Sequence, residues 1–168
     1  TVEPKVNSWS IQNRVADTPL AVYSGTLGLK HDPGHLVAAA QALVDSGGTL
    51  AVVSEGIGRD VLERQRAELQ LTNLFLYDYV DYGTLPLVLG AADLCLVLLE
   101  PEAGRFSAPS KVLTYLAAGR AIVGAIPSEN LAARTVLKAG AGLIVEPGDH
   151  AGFARAVREL LEDPDRRE

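Results

Sequence analysis

Leu20-Ala21-Val22-Tyr23-Ser24-Gly25-Thr26-Leu27-Gly28-Leu29-Lys30-His31-Asp32-Pro33 decides how the chain folds. Its first five residues are a short β-type run. A loop with two glycines follows. Pro33 then suits the first turn of a helix, and apolar residues at helical spacing continue to Asp45. This strand–loop–helix unit recurs along the chain. The predicted strands are Leu20–Ser24, Thr49–Ser54, Leu74–Tyr77, Leu94–Leu98, Ala121–Ala125 and Gly142–Val145. The predicted helices are Pro33–Asp45, Ile57–Leu69, Tyr82–Ala91, Pro109–Ala118, Glu129–Ala139 and Asp149–Glu162. Asp149 suits an N-cap, and Gly119 and Gly140 suit the left-handed positions that close helices. Strands alternating with helices imply an α/β fold, a doubly wound, Rossmann-like parallel sheet of about six strands with helices on both faces. Residues 1–18 carry Pro4, Asn7 and Trp9 without a clear period. They read as an irregular entry segment, with the domain occupying residues 19–168.

The composition fits one globular domain. The chain has 168 residues, 48% of them hydrophobic, and a net charge of −6. That acidity argues against broad nucleic-acid binding but not against a small anion held by a local cluster of donors. Cys95, the single cysteine, excludes a disulfide framework and predicts a buried, reduced thiol. His31, His35 and His150 show no metal-ligand spacing, so no metal is expected, and no other cofactor is. No apolar run approaches the roughly 18 residues of a membrane span, and no signal peptide is visible. The absence of methionine, the start at Thr1 and the charged end at 162–168 suggest a segment of a longer protein.

In a doubly wound sheet, ligands bind outside the carboxyl ends of the strands. Three loops fall there. Ser24–His31 offers two glycines for close approach and Lys30 as a cation, a combination suited to phosphate; an ordinary turn with a solvated lysine is the plainer alternative. Glu100–Lys111 ends in Ser107-Ala108-Pro109-Ser110-Lys111 at a helix start. The free amides, two hydroxyls and the charges of Arg105 and Lys111 make an anion site; simple capping is the alternative. Tyr77-Asp78-Tyr79-Val80-Asp81-Tyr82 brings three tyrosines that could frame a planar base or cover a core edge. Glu55-Gly56-Ile57-Gly58-Arg59 follows the second strand and lacks the spacing of a dinucleotide fingerprint, so it reads as a turn into a helix.

Together these segments resemble the C-terminal domain of family-4 glycosyltransferases. Tyr23–His31 resembles that family's first strand and loop. Asn73–Val80 and Leu85–Asp93 resemble its next blocks, and Gly140–Asp149 resembles its closing strand and turn. Pro109-Ser110-Lys111-Val112-Leu113-Thr114-Tyr115-Leu116-Ala117-Ala118-Gly119-Arg120 is the most specific match. The nearest likeness is to bacterial enzymes that build capsule, exopolysaccharide or O-antigen sugars. The resemblance implies one half of a GT-B fold, in which this domain holds a nucleoside diphosphate sugar and an N-terminal domain supplies the acceptor contacts. It places Gly25, Thr26 and Lys30 near the diphosphate, Tyr79 and Val80 in the strip whose backbone meets the base, and Ser110 and Lys111 at the helix start whose amides hold the diphosphate. Arg105 and Ser107 would assist from the loop, and Thr114 would face the ribose.

Two departures accompany the match. Many members carry two glutamates, separated by seven residues, at positions that here are Phe106 and Thr114. Glu100 or Glu102 could replace the first from earlier in the loop. Where many members carry an arginine after the first-strand glycine, this chain has Thr26. The resemblance implies a retaining transferase moving a sugar from a UDP- or GDP-linked donor to a glycan or lipid-linked acceptor. The enzyme would be cytoplasmic, at the inner face of the membrane or free of it, and inactive as this domain alone. The rivals are a GT-B sugar-nucleotide epimerase and a scaffolding domain without catalysis. The residues leave the sugar, base, acceptor and oligomeric state open.

Overall fold

The computed structural model describes residues 2–28, 30–102 and 110–167. Six strands, β1 (Leu20–Ser24), β2 (Thr49–Val53), β3 (Leu74–Tyr77), β4 (Leu94–Leu98), β5 (Ala121–Ala125) and β6 (Gly142–Val145), form one sheet. All five pairings are parallel, in the order β3-β2-β1-β4-β5-β6. That is the doubly wound Rossmann-like order, and its direction reverses between β1 and β4. Among the described residues, seven α-helices accompany the strands: α1 (Ser8–Gln12), α2 (Gly34–Leu43), α3 (Ile57–Glu68), α4 (Leu85–Ala91), α5 (Ser110–Ala117), α6 (Leu131–Lys138) and α7 (His150–Glu162).

Side chains alternate across the sheet, as strand geometry requires. Ala21 and Tyr23 of β1, with Leu94 and Leu96 of β4, face Leu36, Leu43, Phe153 and Leu160 of α2 and α7. Leu20, Val22, Cys95 and Val97 face the opposite layer, built from Trp9, Val88, Val112, Tyr115 and Val136. Each fully buried aliphatic side chain contributes about 1.5–3 kcal/mol relative to exposure. β4 is apolar on both faces because helices cover both. Cys95 is buried and free, and burial pushes its thiol up to about 12.

Local chemistry sets the element ends. The Asp149 side chain accepts from the Gly152 amide and starts α7. Gly119 and Gly140 adopt φ of +63° and +62° behind α5 and α6. α4 begins at Leu85 rather than at Tyr82 as predicted, because the Asp81 carboxylate takes the Thr84 amide at 2.7 Å and holds a turn ahead of the helix. α6 begins at Leu131 because Asn130, not Glu129, caps it.

The entry segment differs from the irregular stretch expected. α1 forms there through a reciprocal cap: Asn7 Oδ1 accepts from the Ser10 amide, and Ser10 Oγ accepts from the Asn7 amide. Trp9 is buried edge-on against Tyr77, with ring centroids 5.4 Å apart. Asn7 Nδ2 donates to the Leu87 carbonyl at 2.9 Å. Five helical residues are too few for a period to show, but one tryptophan and one cap fasten them to α4.

Candidate nucleotide-binding cavity

At the carboxyl edge where the strand order reverses, a cavity of about 440 Å³ opens between the loop after β1 and the start of α5. Gly25, Thr26, Tyr79, Ser110, Lys111 and Thr114 line it. Six of the residues singled out from the sequence therefore share one hollow, although they come from two separate loops and helix α5.

Lys111 is the dominant feature of this hollow. Its stem lies in the first turn of α5, and Nζ sits 4.6 Å from the centroid of the Tyr23 ring. Nζ donates to the Tyr23 hydroxyl at 3.3 Å, and that hydroxyl donates to the Thr26 carbonyl at 3.1 Å. Among the described residues no carboxylate pairs with Lys111. Burial lowers its pKa to about 8, from an ordinary value near 10.5. Burial likewise pushes the Tyr23 phenol up. Gly25 makes room for the ammonium. Its φ is +146°, and a Cβ built there would lie 2.5 Å from Lys111 Nζ.

Tyr115, one turn beyond Lys111, is fully buried and fixes α5 to β1. Its hydroxyl donates to the Ser24 carbonyl at 3.0 Å and accepts the Ser24 amide at 3.2 Å. The Thr114 hydroxyl donates to the Ser110 carbonyl at 3.2 Å, leaving oxygen lone pairs toward the cavity. The first turn of α5 carries no acidic residue, so among the described residues of that turn no carboxylate competes for the helix's positive end.

Other residues expected in the site fall elsewhere. Lys30 is 78% exposed and turns toward Glu100, 4.0 Å away, bordering a separate small hollow near Leu98 and Pro147. Val80, matched by its backbone rather than its side chain, packs its side chain against the core layer that includes Val88 and Leu89. The three tyrosines divide: Tyr77 meets Trp9, while Tyr79 and the largely exposed Tyr82 line the cavity. Tyr79 also borders a neighbouring hollow around Ser54, Gly56 and Arg59. The Glu55–Arg59 loop is a turn sewn to the loop after β1, with the Gly58 amide bonded to the Leu27 carbonyl at 2.8 Å. Arg105, Ser107 and Phe106 lie outside the described residues.

His31 lines the cavity beside these groups, and sequence reading did not single it out for phosphate. The only signal was its place at the end of the loop after the first strand. Tyr115 was also missed, although its four-residue spacing from Lys111 puts both on one helix face.

The structure also gathers Asp32, His35 and His150, whose ligand atoms lie within 4.8 Å of one another. The spacing of the histidines gave no sign of this, since His150 is 118 residues from Asp32. The arrangement is a hydrogen-bonded clasp. His150 Nε2 and Asp32 Oδ2 are 2.5 Å apart, and Asp32 Oδ1 takes the Gly34 amide at 2.8 Å. Both His35 ring nitrogens are used: Nδ1 meets the Asp32 carbonyl at 3.2 Å, and Nε2 accepts the Gly148 amide at 3.1 Å. A metal at Nδ1 would leave the proton on Nε2, facing the Gly148 N–H, so this donor set does not fit an ion. Burial keeps the His35 pKa below its ordinary value. Burial raises that of Asp32, but the His150 and Gly34 hydrogen bonds outweigh it and hold the carboxyl low.

Comparison with known proteins bears on the family and the fold. A family model described as glycosyl transferases group 1 matches residues 18–163. WcaI of Escherichia coli K12, assigned to colanic acid biosynthesis as a glycosyl transferase, is 28% identical over 143 residues. That match covers 84% of this chain and 35% of WcaI, so the chain spans about a third of its relative's length. Among solved structures, the C-terminal domain of the group 1 glycosyl transferase LpcC from Francisella tularensis superposes with a TM-score of 0.74 at 17% identity. It covers 99% of this chain and 88% of that one. Anabaena Alr3699/HepE, crystallised with UDP and glucose, superposes with a TM-score of 0.75 at 17% identity, over 97% of this chain and 44% of its own.

Proposed function

Because this chain belongs to the group 1 glycosyl transferases, we propose that it is the domain that holds the nucleoside diphosphate sugar in a retaining enzyme acting on a glycan or lipid-linked acceptor. The observation that carries this reading is the Lys111 ammonium, which has no carboxylate partner among the described residues and sits in the first turn of α5 in a cavity at the sheet's reversal point. A buried ammonium without a counter-ion is costly, and an anion entering the cavity relieves that cost. A diphosphate fits the demand, with the α5 amides and Lys111 on one side and the Gly25 backbone on the other. The base then lies against Tyr79, with the neighbouring hollow offering it room, and Thr114 meets the ribose. UDP and UDP-glucose occupy the structurally similar Anabaena protein, which supports the choice of ligand class.

The work of this domain is positioning the donor and neutralising charge that develops on the departing diphosphate. The acceptor hydroxyl is brought by an N-terminal domain outside this chain, so the chain alone turns over no substrate. No helix among the described residues is long and apolar enough to cross a membrane. The full enzyme works in the cytoplasm, free or at the inner face of the membrane.

Calorimetric titration of the chain with UDP, GDP and their sugars tests the reading. Saturable binding of one diphosphate, weakened in Lys111→Met, is expected. Absence of binding by any nucleotide sinks the assignment and favours a scaffolding role.

A further inference from the structure

We infer that His31 is a second diphosphate contact, presenting a neutral Nε2–H to a phosphate oxygen opposite Lys111. This rests on the nucleotide-binding reading above and deepens it.

The local geometry fixes both the direction of the ring and its tautomer. The His31 amide is bonded to the Gly28 carbonyl at 3.1 Å. The imidazole folds back toward Gly28, and Nδ1 accepts the Gly28 amide at 3.0 Å. An Nδ1 that accepts a hydrogen bond carries no proton, so the proton of the neutral ring sits on Nε2. Among the described residues no group satisfies Nε2, and the ring forms part of the wall of the cavity that holds Lys111. Burial first, and the nearby Lys111 ammonium second, lower the His31 pKa and outweigh the opposing pull of Glu100 and the Gly28 backbone, which favours the neutral ring.

The pair therefore divides the work. Lys111 supplies charge, and His31 supplies a directional donor that adds no second buried cation to the empty site. A second ammonium there would repel the first before any ligand arrived. A neutral donor avoids that cost and still bonds an ionised phosphate oxygen. Lys30, the neighbouring residue in sequence, turns to Glu100 on the other side of the loop.

The test compares the parent chain with His31→Phe, which keeps a ring without a donor, and with His31→Gln, which keeps an amide donor. Each is titrated with UDP and uridine, and with GDP and guanosine, and followed by NMR of isotope-labelled protein. His31→Phe should bind the preferred diphosphate about tenfold more weakly, as loss of one hydrogen bond to a charged group implies. Its nucleoside affinity should stay within about twofold, and His31→Gln should recover most of the loss. In the parent chain, the His31 Nε2 resonance should move on adding the diphosphate and stay in place on adding the nucleoside. Unchanged diphosphate affinity in His31→Phe overturns the inference. So does an equal loss for diphosphate and nucleoside, which marks a purely structural role. A parent chain that binds neither diphosphate takes down the nucleotide-binding reading as well, and this outcome is distinguishable because no variant is needed to see it.

Discussion

The starts of α2 and α5 make an instructive pair. Both follow loops on the carboxyl edge of the sheet, and both present backbone amides and the positive end of a helix. At α2 that end is already filled. The Asp32 carboxylate takes the Gly34 amide and holds His150, while His35 ties the same corner to Gly148. At α5 the first turn has no acidic residue, and Lys111 adds a charge with no carboxylate partner among the described residues. A helix N-terminus becomes an anion site only where the chain has not supplied its own anion. Sequence reading saw two possible phosphate loops; the internal carboxylate is what separates them.

The largest effect should come from removing the unpaired charge. Lys111→Met should weaken binding of the preferred nucleoside diphosphate about tenfold to a hundredfold, the range of one hydrogen bond to a charged group. Thermal stability should hold or rise, since the substitution replaces a poorly solvated ammonium with an apolar chain of similar length. The pH dependence sharpens the point. Burial brings the Lys111 pKa down to about 8, whereas the diphosphate is already ionised above pH 7. Affinity of the parent chain should therefore fall as pH rises through about 8, while Lys111→Met stays flat. A parent profile without that fall would place the anion elsewhere.

The second test breaks the clasp and leaves the cavity alone. His35→Ala removes a buried ring packed edge-on against Phe153 and the bond it accepts from the Gly148 amide, at a cost of about 1–3 kcal/mol. Urea unfolding should read that loss, while nucleotide affinity stays unchanged. The acid limb follows from the sign of the His35 shift. Its folded pKa lies below the unfolded value of about 6.5. Between the two values the unfolded chain binds more protons. Stability is thus fully present above about 6.5 and is lost as pH falls toward the folded value. His35→Ala should lose that part of the slope. An unaltered acid limb would show that the clasp does not control it.

How much of this was legible depends on how far apart the deciding residues lie. Strand β1 and the turn at Gly119 were readable because alternation and punctuation are local properties. Gly25, Ser110 and Lys111 were readable as loop positions beside strand ends, and the fold brings them into one hollow. Which way a loop side chain points is not local. Lys30 and His31 are adjacent, yet one turns to Glu100 and the other to the cavity, because the Gly28 amide captures the imidazole. The clasp was invisible because Asp32 and His150 meet only after the sheet forms. α1 was invisible because its stability comes from Trp9 against Tyr77 rather than from its own length.

The smallest expected effect is the sharpest check on the comparison. Lys30 stands in the loop after β1 at the position that sequence alone marks for phosphate. In the folded chain it is largely exposed, and its nearest charge is Glu100 at 4.0 Å. An exposed pair at that distance contributes about 0–1 kcal/mol and is screened by salt. Lys30→Ala should therefore change diphosphate affinity by less than about threefold, with most of that change vanishing at high ionic strength. Measured beside Lys111→Met under one buffer, it asks whether charge near the loop or charge inside the cavity holds the ligand. A loss in Lys30→Ala equal to that in Lys111→Met would mean that the loop swings its lysine inward when the anion arrives. The contrast between an already filled α2 and an open α5 would then fail as the account of where the diphosphate binds.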